Sequence, residues 1–224
     1  MRRLSRSASA LALHVTAPPA LAAQHSVAAG APADSGAFVI RHAGDTVATE
    51  RFTRSATRLE GTLDLRNARR TSQRYAAVVG PDATLPLIEV TVREDQDSGR
   101  VKGKVVQRAQ VIFRGDSAAV DALTGHGIET RVFGTARGAV PYLNLSFALL
   151  EQAVRRARRA PGGAADVPFF NLGGGQTLSA KLSALGADSL ALAIGNVEFH
   201  LRVDSEGRVL GGRIPAQDVV AERQ

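Results

Sequence analysis

Apolar and polar residues alternate along most of the chain with a period of two. In "TRLEGTLDLR", Leu59, Leu63 and Leu65 fall on one side, and Arg58, Glu60, Thr62, Asp64 and Arg66 on the other. "VEFHLRVD" repeats the pattern with Val197, Phe199, Leu201 and Val203, and "TLSAKLS" with Leu178, Ala180 and Leu182. Such strands have one dry face and one wet face, the habit of antiparallel sheets. Turn residues separate the runs at Ala43-Gly44-Asp45, Gly80-Pro81-Asp82, Asp97-Ser98-Gly99, Gly173-Gly174-Gly175, Gly186-Ala187-Asp188 and Ser205-Glu206-Gly207.

One segment breaks the alternation. "PYLNLSFALLEQAVRRARRA", residues 141–160, predicts a helix over about 144–159, with Asn144 placed to cap it and Pro161-Gly162-Gly163 to end it. Its first turns, with Leu145, Phe147, Leu149 and Leu150, are too apolar to face water. These four are the candidate wall of an apolar ligand site. Its last turns carry Arg155, Arg156, Arg158 and Arg159, the densest charge cluster of the chain and the candidate contact for an anionic surface. The expected fold is mainly β (α+β): a curved antiparallel β-meander of about ten strands, an open shell covered by one mid-chain helix. Roughly six or seven strands precede the helix and four or five follow it. Leu63, Val111, Leu182, Leu192 and Phe199 are expected to meet it.

The N-terminus changes the picture of where the protein acts. "MRRLSRSASALALHVTAPPALAAQ" has a basic start, a mostly apolar run and Ala20-Leu21-Ala22 as a small-x-small cleavage site. The expected organisation is a signal peptide over 1–22, a flexible linker over 23–36, one β-shell domain over 37–214 and a C-terminal tail over 215–224. The protein is then periplasmic or secreted. No run is long enough to span a membrane as a helix. Removing residues 1–22 takes three arginines and no acid, leaving +4 of the formal +7. A basic surface outside the cytoplasm meets anionic lipid or polysaccharide before nucleic acid. Aromatics are 4% and tryptophan is absent, which argues against stacking platforms for nucleic acid or sugars.

Candidate chemistry is sparse. Cysteine is absent, which excludes disulfides, thiolate metal sites and cysteine nucleophiles. "IRHAGDT", residues 40–46, resembles the Arg-His-Gly opening of the histidine phosphatases, which would make His42 a phosphate-accepting nucleophile. Ala43 stands where that family has glycine, and "TVATERF" reads as a strand where the family has a helical phosphate-binding region. A β-hairpin through Ala43-Gly44-Asp45 is therefore favoured. His126, between two glycines, reads as a loop, and His200 as the wet face of a strand. No histidine pair has zinc-site spacing, and no G-x-S-x-G elbow is present. "DQDSG", Asp95 to Gly99, lacks the downstream glutamate of a calcium loop, and "RGDS", Arg114 to Ser117, is a turn between strands. No catalytic residue, metal site or cofactor is assigned.

The order of elements resembles one known group. A leader, a β-meander, a helix opening "PYLNLSFALLEQ", then a second meander ending "VDSEGRVLGGRIP" is similar to the periplasmic open β-shell proteins, the LolA- and LppX-like carriers of lipids and lipoproteins and related envelope proteins. The resemblance covers about residues 37–214 and implies a space for acyl chains between curved sheet and helix. It transfers no functional residue. Three readings stay open: an exported, non-catalytic protein binding an apolar or amphiphilic ligand, a structural or partner-binding β domain, and a hydrolase with an unrecognised site. The pattern leans away from an enzyme and leaves the oligomeric state undetermined.

Overall fold

The computed structural model describes residues 34–66, 69–94, 103–124, 126–159 and 165–224. The expected signal peptide, most of the linker and the Asp95 to Gly99 loop lie outside the described residues. Among the described residues, fifteen strands form one sheet. Before the helix come β1 (Asp34–His42), β2 (Asp45–Arg54), β3 (Arg58–Leu65), β4 (Thr71–Val78), β5 (Leu87–Glu94), β6 (Lys104–Arg114), β7 (Ser117–Thr124), β8 (Gly127–Gly134) and β9 (Val140–Tyr142). Helix α1 spans Phe147–Arg159. After it come β10 (Ala165–Asn171), β11 (Thr177–Gly186), β12 (Ser189–Ile194), β13 (Val197–Val203), β14 (Val209–Ile214) and β15 (Val219–Arg223).

The strand order is β8-β7-β6-β5-β4-β3-β2-β1-β15-β14-β13-β12-β11-β10-β9. Two meanders meet at a central seam, where β1 pairs antiparallel with β15 in the register Phe38↔Arg223 to His42↔Val219. Residues 215–224, expected to be a tail, thus contain a central strand. Residues 34–36, assigned to the linker, belong to β1. The expected antiparallel arrangement has one exception, since β9 and β10 are parallel and α1 is the crossover between them. The sheet has more strands than expected because short ones such as β9 and β15 carry too few alternating residues to register as strands.

Loop chemistry explains the hairpins. Ala43 and Gly44 form a two-residue turn between β1 and β2, with φ of 49° and 88°. Positive φ at both positions is what this turn requires, and it matches the twist of the paired strands. His42 is therefore the exposed end of a hairpin strand. Gly115, with a φ of 60°, and Asp116 make a two-residue turn between β6 and β7, within "RGDS".

The dry face forms a single core with α1 at its centre. Leu63, Val111, Leu182, Leu192 and Phe199 are all buried in it together with Phe147, Leu149 and Leu150. The Phe147 ring packs on Phe38 at 5.5 Å between centroids. Each fully buried Leu or Phe contributes about 1.5–3 kcal/mol relative to exposure. "FALLEQAVRRARR" is rich in good helix formers and free of Gly and Pro, so the helix is favoured locally as well.

Candidate functional site

The site is built on polar groups inside this apolar core. On β2 the side chains of Ala48, Glu50, Phe52 and Arg54 share the inner face, and all four are buried. Glu50 is fully buried and reaches the first turn of α1. Its Oε2 accepts from the backbone amides of Phe147 at 2.8 Å and Ala148 at 3.0 Å. Its Oε1 accepts from the Ser146 hydroxyl at 2.6 Å and the Tyr75 hydroxyl at 2.7 Å. The amide of Leu149 donates to Ser146 Oγ at 3.3 Å. The opening amides of the helix are thereby satisfied, and a carboxylate sits at the positive end of its dipole.

Ser146, not Asn144, is the cap. Leu145 takes a φ of 65°, an uncommon conformation for a bulky side chain, and this reversal leaves Asn144 exposed outside the helix. Burial pushes the Glu50 carboxyl up from its ordinary value, and the four donors oppose that rise. Burial, then the nearby Glu50 charge, pushes the Tyr75 phenol well up as well.

A second buried cluster locks the middle of α1. The Arg54 guanidinium donates to the carbonyl of Ala148 at 2.8 Å and is ion-paired with fully buried Glu151. Burial, and then the Arg155 charge, pushes Arg54 down to about 10. Glu151 also accepts from Arg155 at 3.0 Å, from the amide of Val209 at 2.9 Å and from Arg223 at 3.3 Å. Arg223 reaches Asp34 at 2.8 Å. Two carboxylates, Glu151 and Asp34, thus face three guanidinium groups, Arg54, Arg155 and Arg223. They tie α1 to β1, β2, β14 and β15, on both sides of the seam. Arg54 Nε is buried without a hydrogen-bond partner among the described residues, and a buried ionic network of this kind positions elements more than it adds net stability.

A cavity of about 130 Å³ lies beside the helix entry. Gln73, Val90, Val92, Ala109 and Val111, from β4 to β6, face Leu143 and Leu172 across it. The side-chain oxygen of Gln73 is buried there and has no hydrogen-bond partner among the described residues. A wider groove of about 580 Å³ crosses the outer face over Arg58, Arg74, Glu89, Arg108, Asp121 and Leu123, mixing both charges.

Phe147, Leu149 and Leu150 are packed core, Leu145 is half-buried, and none of the four lines the cavity. The arginines are mostly held by the protein itself. Arg155 joins the network, Arg156 donates to the carbonyl of Gly138, and Arg158 reaches that of Ala187 at 3.5 Å. Arg159 is exposed, 3.9 Å from Asp82. His200 contacts Glu198 at 2.6 Å. Among the described residues no three His, Asp or Glu stand together as metal ligands. Glu50, Arg54, Glu151, Gln73 and Arg223 were not singled out by sequence. The available signal was phase: Glu50 and Arg54 alternate in step with Ala48 and Phe52.

No family model matches the chain, and no curated protein matches it. Among solved structures it is similar to a DUF1089 family protein from Pseudomonas aeruginosa, with a TM-score of 0.54 at 14% identity, covering 77% of this chain and 91% of that one. It is also similar to a β-barrel-like protein of domain of unknown function DUF1849 from Brucella abortus, with a TM-score of 0.49 at 9% identity, over 86% and 95%. The likeness to the first is one of fold. The chain is a mainly β protein whose large open sheet forms a shell covered by one helix.

Proposed function

We propose that this protein is an exported, non-catalytic β-shell protein that takes the end of an acyl chain into the cavity beside Leu143, in the manner of LolA- and LppX-like carriers. The observation that carries the reading is the unpartnered oxygen of Gln73 in a lining that is apolar apart from Gln107. A buried acceptor without a donor is costly, and a ligand hydroxyl or amide would satisfy it. The cavity is smaller than the ~300 Å³ at which drug-sized pockets begin, so it suits a chain terminus or a short hydroxylated acyl chain. Export rests on the basic start and Ala20-Leu21-Ala22. Contact of Arg155, Arg156, Arg158 and Arg159 with anionic headgroups has less support, because three of them are engaged within the protein.

The test is displacement of a fluorescent fatty acid by dodecanoate and by hydroxydodecanoate. The hydroxylated chain should bind more tightly, Gln73→Leu should erase the difference, and Ala109→Phe should abolish binding of both while the protein stays folded. Protein recovered from the envelope that carries no lipid in native mass spectrometry, and displaces no probe, would leave the structural reading in its place. That second reading is favoured by the filled interior around Phe147, Leu149 and Leu150.

A further inference from the structure

Strand β8 ends one side of the sheet and, among the described residues, pairs only with β7. Its backbone groups alternate between the two sides. The amide of Thr135, just beyond it, donates to Asp116 on the β7 side at 2.7 Å, while the carbonyl of Gly134 faces away and accepts from Thr177 at 3.4 Å. By that alternation Glu129, Arg131 and Phe133 turn their backbone groups to β7, and Ile128, Thr130 and Val132 turn theirs to the open edge.

Two further features mark this edge. Ile128 and Val132 are 73% and 69% exposed, the most exposed large apolar side chains among the described residues. Both belong to the outer face, where an apolar row runs through directly opposed residues: Val78, Leu87, Ile112, Ala119 and Val132. An open apolar edge strand invites pairing with another strand. Within β8 the stretch Ile128-Glu129-Thr130-Arg131-Val132 reads apolar, acidic, neutral, basic, apolar. Glu129 and Arg131 sit on one face, 3.1 Å apart.

We propose that β8 pairs antiparallel with β8 of a second copy of this chain about a two-fold axis at Thr130. This register opposes Thr130 with its symmetry mate and Ile128 with Val132, through backbone groups that already point outward. It also opposes Glu129 with Arg131 twice. Opposite charges across strands stabilise, and like charges directly opposed destabilise. Centring the axis on Glu129 or Arg131 would oppose like charges, and a shift by one residue would put side chains on the wrong faces. The apolar row then continues from Val132 of one copy to Ile128 and Leu123 of the other. An interface in which each patch meets itself is the self-complementary form that a two-fold dimer requires.

Sedimentation equilibrium of the purified chain should give a dimer. Thr130→Pro removes an amide that faces the open edge and is not used by β7, so it should give a monomer with an unchanged far-UV circular dichroism spectrum. Arg131→Glu should weaken the dimer by about tenfold or more, and adding Glu129→Arg to it should restore association. A chain that stays monomeric at all concentrations, a dimer indifferent to Thr130→Pro, or a charge swap that fails to rescue would each overturn the proposal.

Discussion

Tyr75 lies across Gly61, its directly opposed neighbour on β3, and its hydroxyl reaches Glu50 on the next strand at 2.7 Å. A Cβ on Gly61 would stand 2.3 Å from the Tyr75 ring, so the absence of a side chain is what lets the phenol through. Gly61→Ala should therefore cost about 1–3 kcal/mol, the range of overpacked cores. Tyr75→Phe should cost about 1–2 kcal/mol by removing one of four donors to a buried carboxylate. Urea denaturation of both variants measures this, and a loss with Gly61→Ala close to zero would show that the ring is not fixed there.

Glu50 holds the start of α1 from a distant strand. Glu50→Ala strands two amides and two hydroxyls in the core, and should destabilise by about 3–5 kcal/mol. Glu50→Gln should lose much less, because its oxygen can serve the amides while its NH2 donates to the hydroxyls. Equal losses in the two variants would show that the charge, rather than hydrogen bonding, is what matters.

The pH dependence has a definite sign. Burial raises the Glu50 carboxyl above its ordinary 4.5. A group with a raised folded-state value holds its proton more tightly in the native protein, so its stabilisation is greatest at low pH and is lost as pH rises. The stability of the wild type relative to Glu50→Gln should thus fall as pH rises above 4.5, and then level off. Denaturation of both proteins at a series of pH values reads this difference, and a rising difference would mean that the four donors outweigh burial.

Breaking the Arg54–Glu151 pair from one side should be worse than removing both charges. Arg54→Ala alone should cost about 3–5 kcal/mol, because Glu151 stays buried with reduced compensation. Arg54→Met with Glu151→Leu should recover much of the loss. The four-way comparison by chemical denaturation isolates the coupling.

Among the apolar helix residues, position decides the penalty. Leu149→Ala should cost about 2–5 kcal/mol and Leu145→Ala clearly less, since Leu149 is packed core and Leu145 is half-buried. His42→Ala, at an exposed hairpin end, should stay within about 0.5 kcal/mol.

Much of this architecture is legible in the chain, and the rest depends on partners far away in sequence. Leu59, Leu63, Leu182 and Phe199 announce their dry face by alternation alone, and "PYLNLSFALLEQ" announces a buried helix entry. Asn144 and Ser146 are both acceptable caps on local grounds. The choice falls to Ser146 because Glu50 comes within reach of it from β2. β15 offers only Val219 and Ala221 as inward residues, and five residues read as a tail until β1 is placed beside them. A run of arginines reads as solvated charge until the carbonyls of Gly138 and Ala187 are known to lie nearby. Gln73 is one polar residue in an alternating strand, and nothing local marks its oxygen as lacking a donor.

The seam has a consequence for how the chain finds its fold. Every other pair of neighbouring strands is consecutive along the polypeptide, so each arm can zip up hairpin by hairpin, save for the parallel β9–β10 pair that closes through α1. Joining β1 to β15 is the step that spans nearly the whole described chain, and its entropy cost falls on one event. Phe38 and Arg223 must find each other after both arms exist. Substitutions at the seam should therefore speed unfolding more than they slow folding, and those in the β3–β6 hairpins should do the reverse.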